Sequence, residues 1–256
     1  MRSIALAAFF LGLTTFATAQ TAPQATSSKT ADWSYQGKTG ALNWAKLDSV
    51  YRACSKGREQ SPIDIRGAHL NPALPPLEFH YISGQVTLVN DGHTIVAHVN
   101  PGSYLVVGDH RYELVEIDFR HPGEQPVKGK LTDFEVHLRH RSADGKLAEV
   151  VVRLVEDPGN PNATLAALWQ HLPKTVGASE KVTEMVSIGG LLPADRGYWV
   201  YTGSLSTPPC TEGVRWFVLE QELSLSREQL RAFQTLYRMN TRGAQDANGR
   251  RIEANE

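Results

Sequence analysis

Two stretches of this chain place ionisable side chains two residues apart, the spacing that brings them to one face of an extended strand. In RYELVEIDFR these are Glu116, Asp118 and Arg120; in FEVHLRH they are Glu135, His137 and Arg139. Carboxylates and imidazoles so arranged can hold a metal ion or move a proton, and a zinc catalyst needs three such protein ligands with a fourth position open to water. An arginine in the set points elsewhere. Its guanidinium stays protonated and has no lone pair for a metal, but it pairs well with acids. The nine histidines are enough for a metal site by number, so their placement decides. Cys54 and Cys210 are the only two cysteines. They could close one long loop, worth about 4–5 kcal/mol by chain entropy.

The elements that must position these residues read mostly as strands. QVTLVND, TIVAHV, YLVVG, RYELVEIDF, FEVHLRH, LAEVVVRLV, YWVYTGSL and VRWFVLE are short, rich in Val, Tyr and Phe, and separated by turn-forming residues. Helical periodicity is confined to NATLAALWQHLP and SREQLRAFQTLYRM. In the second, Ser226 is suited to cap a helix whose Leu230, Phe233, Leu236 and Tyr237 recur on one face. No repeat, linker or charge block divides the chain after residue 32. The expectation is one mainly β (α+β) domain over 32–256, built on a large twisted sheet with short peripheral helices.

Composition narrows the function classes. Lys and Arg total 26 against 27 Asp and Glu, for a net charge of -1. That balance argues against a nucleic-acid groove, which needs clustered positive charge. The opening MRSIALAAFFLGLTTFATAQ has an early Arg, a short apolar run and the cleavage pattern Ala17-Thr18-Ala19. It reads as a signal peptide over 1–19, followed by a Thr/Ser/Ala/Gln-rich tether over 20–31. The expected location is periplasmic or secreted, with no membrane span and with an environment that permits a disulfide.

Four ordered segments resemble the α-class carbonic anhydrases over essentially the whole mature chain. They are CSKGREQSPIDI (54–65), NDGHTI (90–95), YTGSLSTPPCTEGVRW (201–216) and NTRGAQDANGR (240–250). The resemblance implies a mostly antiparallel sheet with a conical central cavity, and a Cys54–Cys210 bridge. It also implies one zinc held by three histidines, two alternating on one strand and the third on the next. His93 matches the family's proton-shuttle histidine. Ser206 stands where the family has a hydroxyl that orients zinc-bound hydroxide, and Glu124 matches the acid that receives its hydrogen bond. Leu205, Thr207 and Trp216 match cavity-wall positions.

At the metal itself the chain departs from that pattern. The family's His-x-His falls on Asp118-Phe119-Arg120, the register being fixed by PGEQ at 122–125. Only His137 keeps a ligand position, with Glu135 as its partner. Asp118 could still offer an oxygen to zinc, whereas Arg120 cannot. A bulge at Arg120 could turn His121 inward as a replacement; His110 lies too far along the strand. Two valine positions of the family's carbon dioxide pocket fall on Arg139 and Glu149. Lone charges in an apolar wall would cost several kcal/mol, so the two are expected to face each other. Arg120 is likewise expected to pair with Glu116 and Asp118.

These departures give three readings. The first is a carbonic-anhydrase-related protein with a degenerate zinc site, no predicted cofactor and no metal. It would act as a binding module, with Arg120 and Arg139 holding a small anion, and nothing in the sequence identifies a protein partner. The second is an active carbonic anhydrase with zinc on Asp118, His137 and a displaced third ligand. The third is a zinc-independent hydrolase or hydratase using Ser206, His93 and Glu124.

Overall fold

The computed structural model describes residues 32–256. The expected signal peptide and the whole of the expected tether lie outside the described residues. Among the described residues thirteen strands form one sheet, as the runs of β-branched and aromatic residues require. In chain order they begin β1 His69–Leu70, β2 Leu77–His80, β3 Val86–Asn90, β4 Ile95–Val99 and β5 Tyr104–Val107. The long central strands follow: β6 His110–Arg120, β7 Phe134–Ser142 and β8 Leu147–Glu156. The remainder are β9 Ser179–Lys181, β10 Tyr198–Ser204, β11 Glu212–Leu219, β12 Leu223–Leu225 and β13 Glu253–Ala254. The four shortest, β1, β9, β12 and β13, have two or three residues each, too few for alternation to announce them.

The main path runs β1-β13-β10-β11-β8-β7-β6-β4-β3-β9, with β5 and β2 branching from β6 and β12 from β8. Pairing is mostly antiparallel; β8 is parallel to β11 and β12, and β1 to β13. Among the described residues four short α-helices accompany the sheet: α1 Trp44–Leu47, α2 Ala53–Lys56, α3 Ala163–Trp169 and α4 Arg227–Gln234. At the start of α4, Ser226 and Gln229 form a reciprocal capping box, and Leu230 and Phe233 are buried beneath it. Leu236 and Tyr237, beyond the helix's end, are partly buried against the same core.

The middle of the sheet is covered on both faces, for different chemical reasons. On one face Ile117, Phe119, Phe134, Val136, Leu138, Val150, Val152 and Leu154 belong to the main hydrophobic core, which includes Leu165, Leu168 and Phe233 from α3 and α4. Alternation then sends Asp118, Arg120, Glu135, His137, Arg139 and Glu149 to the other face. Burying apolar area at about 25 cal/mol per Å² favours the first face. The second must balance its charges within itself. Cys54 and Cys210 are bridged across 156 residues, tying α2 to the loop after β10.

Candidate functional site

The register of the three central strands builds the site. Antiparallel pairing sets Asp118 opposite His137, Arg120 opposite Glu135, and Glu116 opposite Arg139. The next pair sets Arg139 opposite Glu149. Residues directly opposite one another share a face at close range, so each cation meets an acid. Arg120 Nε lies 2.9 Å from Asp118 Oδ1. Arg139 bridges three carboxylates: Nε is 3.1 Å from Glu149 Oε2, Nη2 is 3.5 Å from Asp118 Oδ2, and Nη1 meets Glu116 Oε1. Arg139 and Glu149 therefore face each other, and the acid paired with Arg120 is Asp118; Glu116 pairs with Arg139 instead.

His137 is clamped between acids. Its Nε2 is 3.0 Å from Glu135 Oε2 and its Nδ1 3.5 Å from Glu149 Oε1. Burial opposes charge on this ring, but the hydrogen bond to Glu135 and the nearby carboxylates of Glu149 and Asp118 outweigh it and push its pKa up to about 10. The acids on both sides of the ring favour its charged form. Glu149, despite its burial, is held below the ordinary carboxylate range by Arg139 and His137. The indole of Trp216 packs edge-on against His137 at 5.6 Å and donates to the Ser204 carbonyl at 2.8 Å. Glu135 also accepts the Gln125 backbone N–H, at 2.9 Å through Oε1.

Glu124 sits on the same floor. Its Oε1 accepts the Arg242 backbone N–H at 2.7 Å. Burial raises its pKa against the lowering influence of Arg120, His137, that N–H and the Ser206 hydroxyl. Ser206 is thus brought near Glu124, although Glu124 Oε2 has no well-aligned donor among the described residues. Asp118 Oδ1, Arg120 Nε and Glu149 Oε1 are also buried without an aligned hydrogen bond, though each lies close to an opposite charge. Asp118, Arg120, Glu124, Glu135, His137, Glu149, Ser206 and Trp216 all expose 3% or less of their surface. The place expected to be the bottom of an open cone is closed over by its own side chains. Leu205 and Thr207 are half-buried on the adjoining loop.

Sequence reasoning missed the two residues that seal the outer side. Arg120 Nη1 donates to the Tyr35 hydroxyl at 2.5 Å, and Trp33 stacks on His93 with ring centroids 3.7 Å apart and planes 4° from parallel. Burial pushes the Tyr35 phenol up, so it remains neutral. His93 is half-buried at this mouth, and burial lowers its pKa against the raising influence of Asp91 and Asp32. Trp33 and Tyr35 are also spaced two apart, but two residues are too few to reveal a strand. Asn240 and Arg242 lie inside a quoted segment, yet their contacts needed coordinates. Asn240 Nδ2 reaches the Phe119 and His93 carbonyls at 2.9 and 3.2 Å, while its Oδ1 accepts the His121 N–H at 2.8 Å.

That anchoring bears on the replacement ligand. The irregularity of β6 against β7 lies between Leu114 and Glu116, and pairing is regular through Arg120. His121 points outward, with Nδ1 2.8 Å from the Asp133 carbonyl and Nε2 3.1 Å from the Gln234 amide nitrogen. At the three expected ligand positions stand a guanidinium, which has no lone pair for a metal, an imidazole with an acid beside each nitrogen, and a carboxylate already engaged by two arginines.

Comparison with known proteins places this geometry in context. The eukaryotic-type carbonic anhydrase family matches residues 39–256. The chain is 37% identical over 229 residues to a carbonic anhydrase of Pectobacterium carotovorum, spanning 89% of this chain and 93% of that one. A carbonic anhydrase of Klebsiella pneumoniae is 38% identical, with 85% and 89% covered. Among solved structures, the Thermovibrio ammonificans α-carbonic anhydrase in complex with the inhibitor sulfanilamide superposes with a TM-score of 0.84 at 35% identity, covering 87% of this chain and 99% of that one. Dioscorin complexed with ascorbate gives 0.81 at 26% identity, covering 87% and 97%. On the extent of these matches, and with the fold they share, the chain belongs to the α-class carbonic anhydrase family.

Proposed function

We propose that this protein is a carbonic-anhydrase-related member in which a buried ion cluster replaces the zinc centre, and that it works as an exported binding module without zinc-dependent hydration. The carrying observation is the 2.9 Å pair of Arg120 and Asp118 beside a doubly held His137. A metal arriving there would meet a fixed positive charge and would have to strip protons and partners from every remaining donor. In this reading His93, Glu124 and Ser206 keep their places but serve structure, with His93 packed on Trp33 and Glu124 tied to Arg242. Dioscorin, seen with ascorbate, supports a binding role for this fold. The proposed signal peptide over 1–19, the disulfide and the bacterial relatives favour a periplasmic or secreted location.

The small anion expected on Arg120 and Arg139 is not part of this proposal. Their donors are directed at Glu116, Asp118, Glu149, Tyr35 and the Asn240 carbonyl. An anion would have to displace a buried acid to reach them.

The relatives' names favour a second reading, reversible hydration of carbon dioxide by an altered zinc site. One experiment separates the two. The mature protein is incubated with zinc, desalted, and assayed for bound metal and for carbon dioxide hydration. Zinc well below one per chain with hydration at the buffer rate supports the first reading; one zinc per chain with rapid hydration establishes the second.

A further inference from the structure

The histidine that could have replaced a zinc ligand opens instead onto a cleft on the outside of the molecule. This cleft has a volume of about 590 Å³ and is lined by His121, Arg231, Gln234, Thr235 and Arg238. We propose that it binds a phosphate-type oxyanion.

The lining is basic and polar, and it includes no carboxylate. Arg231 and Arg238 are exposed, and among the described residues neither has an acidic partner within 4.0 Å. Nearby acids are occupied elsewhere. Asp133 Oδ2 accepts the Glu156 backbone N–H at 2.7 Å, and Glu156 pairs with Arg227 at 2.6 Å. Glu228, in the first turn of α4, is held below its ordinary range by backbone and Ser226 hydrogen bonds, helped by Arg227 and Arg231. The dipole of α4 would favour one cation near its C-terminal end and accounts for Arg231. It does not account for Arg238, four residues beyond that end, facing the same cleft.

The polar wall between the arginines is fixed in place. His121 donates from Nδ1 to the Asp133 carbonyl, so its Nε2 is the acceptor for the Gln234 amide. Asn240 holds the His121 backbone at both ends, through its Oδ1 at 2.8 Å and its own N–H at 3.0 Å. Two guanidinium forks beside such a wall suit a tetrahedral oxyanion, whose several oxygens accept paired N–H bonds. The chemistry is shared by free phosphate and by the phosphodiester headgroup of an anionic lipid.

The test uses the mature protein and does not depend on its metal content or hydration rate. Inorganic phosphate is titrated at constant ionic strength while the His121 ring and the arginine Nε–H groups are followed by NMR. Saturable shifts at His121, Arg231 and Arg238, weakened about tenfold or more in Arg231→Ala/Arg238→Ala, are expected. Sedimentation with phosphatidylglycerol vesicles then distinguishes the source. Vesicle binding lost in the double variant identifies a headgroup ligand, and saturation by free phosphate alone identifies a soluble one. Either result supports the site. Non-saturating phosphate shifts together with vesicle binding that is absent or unchanged in the double variant, or a phosphate affinity unchanged in a double variant that melts like the parent, overturn it.

Discussion

Arg120 and Asp118 form an ion pair with only 2% and 3% of their side-chain surfaces exposed, two residues apart on the face of β6 that looks away from the apolar core. Such a pair contributes little as a unit, yet removing one member leaves the other charge buried and unmatched. Arg120→Ala is therefore expected to lower unfolding free energy by about 3–5 kcal/mol. Arg120→Met combined with Asp118→Leu is expected to lose much less. Urea denaturation of the three proteins measures both. A negligible loss in Arg120→Ala would remove the basis for treating this arginine as the centre of the cluster.

Asp118→His with Arg120→His restores the histidine pattern of the family. It should recover zinc binding, read by metal analysis after desalting. Hydration should remain slow while Arg139 and Glu149 still occupy the expected carbon dioxide wall. Replacing those two with valine in the same protein should raise it. Failure of the double variant to take up zinc, while keeping its fold, would show that the ligand positions have been misassigned.

Tyr35 offers a probe of the outer seal. Tyr35→Phe removes the acceptor of a hydrogen bond from a charged donor and should destabilise the fold by about 1.5–3 kcal/mol. Trp33→Ala should act at His93 instead. Burial holds that imidazole below its ordinary range, and removing the stacked indole exposes it. Its pKa should rise in an NMR titration; an unchanged value would mean that other groups bury the ring.

His140 sets an acid limit. Its ring is buried, with Nδ1 2.9 Å from the Leu138 carbonyl and Nε2 2.7 Å from the Tyr81 hydroxyl. Burial lowers its pKa from 6.5 to about 4. Because the folded value lies below the unfolded one, this contribution is complete above pH 6.5 and is lost as pH falls toward 4. The loss amounts to about 3 kcal/mol. His137 has the opposite sign: its raised pKa gives a contribution that is complete below pH 6.5 and fades as pH rises toward 10. Stability measured from pH 4 to 10 should fall at both ends. His140→Gln should flatten the acid limb, and an unaltered limb would assign it to other groups.

Much of this was legible because β-strand alternation is rigid. Alternation puts Asp118 and Arg120 on one face of their strand, and His137 and Arg139 on one face of the next; the register then brings the two sets together. The partners could not be read so fully. Glu116 was matched to Arg120, but the cross-strand register gives it to Arg139. Tyr35 and Trp33 come from an irregular segment with no period to betray its path. The direction of His121 depends on Asn240, more than a hundred residues later in the chain. The closed floor depends on how two long guanidinium side chains fill a volume, which residue type alone does not specify.

The cross-strand register carries a consequence for how this protein can change. Arg139 bridges Glu116, Asp118 and Glu149, and Arg120 leans on Asp118, so removing either arginine strands buried acids. A lone change of Arg120 to histidine would give up the closest counter-charge of Asp118. The cluster behaves as a latch: changing either arginine alone passes through a less stable protein, and only concerted substitutions release it.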